Sequence, residues 1–169
     1  MAEITEILEI TETDQVTPAA QALMHLQALM AESELDVRVS PEPSDGDNAN
    51  LAINGPDAAL LVGPQGQTLD ALQYLLMLMT NKGQGPRLRV TVDADGYRAR
   101  RAQKLTAFAQ ELAAEVAKTG QEAITDALNP MERRIIHTAL VDNPDVETYS
   151  EGDEPNRYVV VSTRQSPGG

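Results

Sequence analysis

The sequence predicts an α+β protein of two small modules joined by one long helix, and three observations carry that prediction. Up to residue 95, helical stripes and short alternating runs follow the order helix, strand, strand, short helix, helix, strand. One unbroken helical pattern then runs from about Tyr97 to Lys118. Beyond it the order is strand, helix, strand, strand. With no Trp, one Phe and four Tyr in 169 residues, both cores must be built from Leu, Val, Ile, Met and Ala.

Each element has a local reason. Residues 1–16 are acidic and lack a packing stripe, so they read as an arm. Thr17-Pro18 is an N-cap followed by proline at the first helical position, and Leu23, Leu26, Leu29 and Met30 give the first helix its apolar face. His25 within that helix reads as structural. Leu35-Asp36-Val37-Arg38-Val39 alternates like a half-buried strand, residues 40–48 are loop-rich in Pro, Ser, Asp, Gly and Asn, and Leu51-Ala52-Ile53 returns as its hairpin partner. Pro56 to Leu61 reads as a short helix. The helix carrying Leu69, Leu72, Leu75, Leu76, Leu78 and Met79 is apolar nearly all round, which predicts a place in the middle of a domain. Arg87 to Asp93 alternates again. Leu105, Phe108, Leu112 and Val116 stripe the long helix, and Gly120 ends it. The last module reads as a strand near 122–128, a helix over Met131–Val141 and strands over Val146–Tyr149 and Tyr158–Thr163.

Composition sets the function classes. The absence of cysteine removes disulfides, thiolate metal sites and cysteine nucleophiles. The start of the chain lacks the features of a signal peptide, and the run Leu75–Met79 is too short to span a bilayer, so the expectation is a cytoplasmic protein without direct membrane insertion. The net charge of −13 is unevenly spread. Residues 1–60 hold twelve carboxylates against one cation, whereas residues 61–105 hold three against seven, and 106–169 are acidic again. An acidic arm beside a basic segment predicts an intramolecular decoy for that segment.

Three groups of residues carry candidate chemistry. Gly63-Pro64-Gln65-Gly66 leads into a helix whose first amides can meet an anion, although such a turn also forms for purely local reasons. Arg98, Arg100, Arg101 and Lys104 crowd the start of the long helix, the end where the dipole disfavours cations. They fit either a polyanion site or a solvated face paired with Asp93 and Asp95. Arg133 and His137 stand one turn apart on a helix opened by Asn129-Pro130, with Arg134 between them and Arg157 at the start of the last strand. They predict an open, oxyanion-facing patch. No nucleophile–base–orienter set, Walker motif or metal-ligand spacing is present in the sequence, so no enzyme activity, cofactor, metal or small-molecule substrate is expected.

Leu60-Leu61-Val62-Gly63-Pro64-Gln65-Gly66-Gln67-Thr68-Leu69-Asp70-Ala71-Leu72-Gln73-Tyr74-Leu75 resembles the KH segment of the bacterial Jag family, also called KhpB or SpoIIIJ-associated protein. Asp95-Gly96-Tyr97-Arg98-Ala99-Arg100-Arg101 is similar to the family's linker helix. The run from Asn129 to Leu140, with Val146–Gly152 and Glu154–Arg157, resembles its Arg-x-x-x-His (R-three-H) domain. The resemblance implies a prokaryotic, type II KH domain (α-β-β-α-α-β) over 17–95 and a connector helix over 96–119. An R-three-H domain with a three-stranded sheet follows over 120–163, then a tail over 164–169. It also implies binding of single-stranded RNA, with single-stranded DNA as an alternative ligand. A role as a post-transcriptional regulator or RNA chaperone in cell elongation, division and shape follows, with a small single-KH, KhpA-like partner. By position, Gly63 and Gly66 match the KH loop, and Arg133 and His137 match the motif that names the second domain. Pro64 and Gln65 depart from the basic residues that the family carries between the loop glycines, and the acidic arm stands where the family has a separate N-terminal domain. A protein-interaction scaffold is the rival reading; an RNA-processing enzyme is the weaker third.

Overall fold

The first helix begins where its cap chemistry dictates. The Thr17 Oγ1 accepts the Ala20 amide at 3.2 Å, and Pro18 takes the first helical position, where its missing N–H costs nothing. The structure, a computed structural model, describes residues 17–44, 48–82 and 87–164. It divides into two units, Met1–Asp95 and Gly96–Gly169. The proposed acidic arm and most of the tail lie outside the described residues.

In the first unit, α1 (Pro18–Glu32) buries Ala22, Leu26 and Met30, while Leu23 and Leu29 stay half-buried. β1 (Arg38–Glu42) and β2 (Asn48–Asn54) form the expected hairpin, with Val39 opposite Ile53. β1 begins three residues later than the alternation suggests. Glu34 adopts a left-handed conformation (φ 59), the Val37 amide turns back onto the Leu35 carbonyl, and the Asp57 carboxylate accepts the Asp36 amide at 2.8 Å. Backbone groups engaged in that local turn are not available to a sheet ladder. β3 (Arg89–Ala94) pairs in parallel with β2, giving the order β1-β2-β3.

Between β2 and β3 lie a 3₁₀ turn over Ala58–Leu61, the glycine turn, and α2 (Gln67–Thr80). α2 does not sit in the middle of its domain as its composition predicts. It buries Leu69 and Leu76 completely but leaves Tyr74, Leu75 and Leu78 about half open to solvent. A helix lying on a three-stranded sheet with one neighbouring helix has only one side to bury, whatever its composition. Polar side chains fix its position. Gln73 Oε1 accepts the Val92 amide, and Asn81 pairs with both the amide and the carbonyl of Leu88.

In the second unit, α3 (Tyr97–Thr119) and α4 (Pro130–Leu140) pack on a sheet of order β4-β6-β5, formed by β4 (Ala123–Ile124), β5 (Val146–Glu151) and β6 (Tyr158–Thr163). All pairings are antiparallel. The helix expected as a connector supplies Leu105, Ala109, Ala113 and Val116 to this unit's core, where they meet Leu128, Ile136, Leu140, Val146, Val159 and Val161. Phe108, assigned to the buried stripe from sequence, is 40% exposed. Ala109 and Ala113 face the core in its place, and small side chains let α3 approach its neighbours closely. Gly120 closes α3 in the left-handed conformation (φ 72), its amide bonding to the Val116 carbonyl at 2.8 Å.

Candidate nucleic-acid interface

The glycine turn is shaped by two left-handed glycines. Gly63 (φ 68) and Gly66 (φ 83) bracket Pro64 and Gln65, and Gln65 itself has a positive φ of 51. A Cβ on Gly63 would overlap the Thr68 hydroxyl and lie 2.7 Å from Thr68 Cβ, so the turn is closed against its own helix. The amides of Gly66, Gln67 and Leu69 bond to the carbonyls of Gly63, Pro64 and Val62. The anticipated row of open helix-end amides is therefore partly consumed by the turn itself. What the turn presents to solvent is the exposed edge of Pro64, Gln65, Gln67 and Thr68.

At the start of α3, Gly96 (φ 67) gives the helix a left-handed entry without a side-chain cap. Arg98 and Arg101 are half-buried there, and Arg100 and Lys104 are exposed. The structure gives Arg101 a partner that sequence reading missed: its Nε donates to Glu132 Oε1 at 2.7 Å. Glu132 is only 7% exposed, and its second oxygen accepts the Asn129 amide, while Asn129 Oδ1 accepts the Glu132 amide. This is a reciprocal capping box at the start of α4, and Asn-Pro-x-Glu was its legible signal.

Arg133 is not the open cation the sequence suggests. It is 8% exposed, its Nε donates to the Leu128 carbonyl at 3.2 Å, and its Nη2 donates to the Glu154 carboxylate. The helical period that stacks it with His137 also turns it toward the core beside Ile136. Burial of a guanidinium demands such partners. His137 is half-buried, with Nδ1 2.7 Å from Thr148 Oγ1 and Nε2 2.9 Å from Ser150 Oγ. Burial, and then the Arg133 charge, hold its pKa below the ordinary value, which favours the neutral ring. No spacing in the sequence pairs Arg133 or His137 with Glu154, Thr148 or Ser150, because that approach depends on how the β5–β6 hairpin packs on α4.

Arg134 is exposed on α4. Arg157 is half-buried; its carbonyl accepts the Leu128 amide at 2.9 Å, and its buried Nε has no hydrogen-bond partner among the described residues. The strand residues that alternate with Thr148 and Ser150 are Glu147, Tyr149 and Glu151, two of them carboxylates. There Glu147 and Glu151 are exposed, and the Glu151 carboxylate raises the pKa of the Tyr158 phenol. That side of the sheet repels a polyanion. Glycine turn and cationic helix ends thus occupy separate units. Among the described residues, no group of His, Asp and Glu could hold a metal ion, and no helix is long and apolar enough to cross a membrane.

Comparison with known proteins gives a family to each unit. The KH-domain family of KhpA and KhpB matches residues 20–92, and the R-three-H domain family matches residues 103–163. The chain is 36% identical over 146 residues to the RNA-binding protein KhpB of Clostridium symbiosum, covering 86% of this chain and 66% of that one. It is 36% identical over 154 residues to the RNA-binding protein KhpB of Bacillus subtilis (strain 168), covering 88% and 72%. For the RNA-binding protein KhpB of Streptococcus pneumoniae serotype 2 the figures are 32% over 145 residues, 86% and 44%. The chain thus spans about two thirds of the first relative and less than half of the third. With both domains present in order and the relatives aligned through both, the chain belongs to the KhpB (Jag) family.

Proposed function

We propose that this protein binds single-stranded RNA and catalyses no reaction on it. The observation that carries the reading is the presence, in one chain, of a KH unit with its Gly63–Gly66 turn and an R-three-H unit, aligned with relatives named as RNA-binding proteins. The segment of net positive charge holds both the turn and the start of α3. The candidate contacts are Gly63, Pro64, Gln65 and Gly66 in the first unit. In the second they are Arg98, Arg100, Arg101 and Lys104 on α3 with Arg134 and Arg157 around α4, whereas Arg133 and His137 are engaged within the fold. Few aromatic side chains are available for stacking, so affinity rests on phosphate and shows modest base preference. A cytoplasmic role in post-transcriptional control or RNA chaperoning linked to cell shape fits this chemistry.

The test is anisotropy of a fluorescein-labelled oligouridylate at rising salt. Neutralising about four phosphates gives a log–log slope of about −2.8 and about a 50-fold loss of affinity between about 50 and 200 mM salt. Affinity that stays constant over that range rules the reading out.

One observation favours a second reading beside it. Tyr74, Leu75 and Leu78 form an exposed apolar face on α2, a surface suited to a protein partner such as a small single-KH protein. Co-purification of that partner after nuclease treatment supports a scaffold role; its loss on nuclease treatment supports RNA as the bridge.

A further inference from the structure

Arg133 and His137 are the residues a phosphate-binding account of the second unit would choose first, and neither is placed to meet a phosphate. The Arg133 side chain joins three segments. It leaves α4, donates from Nε to the Leu128 carbonyl in the stretch before that helix, and donates from Nη2 to Glu154 in the β5–β6 loop. Leu128 is itself fastened to the start of β6, through its amide and the Arg157 carbonyl. His137 spends both ring nitrogens on Thr148 and Ser150, two hydroxyls on the same side of β5. Directly opposite them across the ladder stand Val161 and Val159, which are buried in the core. Arg133 spends its Nε and an Nη2 donor inside the fold and is 8% exposed, and His137 spends both ring nitrogens, so a phosphate would have to compete with partners already in place. Arg134, the next residue, is exposed and makes no ion pair among the described residues.

We propose that Arg133 and His137 are internal braces that hold the β5–β6 hairpin on α4, and that Arg134 is the cation of this helix that meets phosphate. The second half of this proposal rests on the RNA-binding reading; the first half does not.

The full chain and the labelled oligouridylate serve as the test. Arg134→Ala should weaken binding and lower the salt slope by about 0.7, the share of one phosphate on a single strand. Arg133→Met combined with Glu154→Gln removes both ends of the brace without stranding a charge. It should leave the salt slope unchanged and affinity within about twofold, because α4 keeps its capping box and its buried Ile136 and Leu140. Glu154→Gln alone should lower the melting temperature without tightening binding. Arg133→Lys keeps the charge but not the two-armed reach, and it should speed hydrogen exchange of the β5–β6 amides. Tighter binding by Glu154→Gln, or a lost phosphate in the Arg133/Glu154 pair with none lost in Arg134→Ala, would overturn the assignment. Unchanged exchange in both Arg133→Lys and His137→Ala would overturn the brace. If the unaltered chain binds no RNA, the functional reading and the role of Arg134 fail together, and the exchange experiment still decides the brace.

Discussion

Gly63 shows how little latitude a binding turn has at the level of a single residue. Its positive φ and the closeness of Thr68 leave no room for a methyl group. Gly63→Ala should therefore destabilise the first unit by about 1–3 kcal/mol, readable as a lower urea midpoint. Gln65→Ala, at an exposed position, should leave the midpoint nearly unchanged. His137 supplies a second, pH-dependent case. Its folded pKa lies below the unfolded value, so the native state favours the neutral ring, and the unfolded chain binds more protons below pH 7. The stability it contributes is present above the unfolded pKa and is lost as pH falls through the folded one. Thermal melts between about pH 7.5 and 5 should fall less steeply for His137→Gln than for the unaltered protein.

At the level of elements, α2 separates composition from placement. Leu69 and Leu76 are fully buried, whereas Leu75 and Leu78 on the same helix are about half exposed. Leu76→Ala should cost about 2–5 kcal/mol, and Leu78→Gln should stay within about 0.5 kcal/mol, by urea denaturation. If Leu78→Gln proves as costly as Leu76→Ala, that face is covered in the folded protein. α4 shows the complementary lesson. Asn129-Pro130 and the apolar stripe were legible as a helix start, and the helix begins at Pro130, one residue ahead of the expected Met131. Arg133 and His137 were legible as neighbours on that helix, but the direction they face was not. Spacing fixes which residues share a helix face; it leaves open which face the sheet will cover. The same gap explains Phe108, which the stripe put in the core and the packing of Ala109 and Ala113 left outside.

Across the whole molecule, charge is segregated along the chain. Residues 61–105 are net positive within a protein of net charge −13, and the first sixteen residues are acidic and uncompensated. Deleting residues 1–16 should tighten oligonucleotide binding at low salt and have little effect near physiological salt, where screening acts within about 8 Å. Equal affinities at low salt would dismiss the decoy. By itself the sequence determined the α+β class, the order of the elements, the helix starts at Thr17-Pro18 and Asn129-Pro130 and the Gly63–Gly66 turn, because each depends on contacts a few residues apart. Only the tertiary structure decided that Glu132 anchors Arg101, and that Glu154, Thr148 and Ser150 claim Arg133 and His137. Those partners lie eleven to thirty-one residues apart. Pairing over such distances is set by sheet register and core packing, which no local pattern encodes.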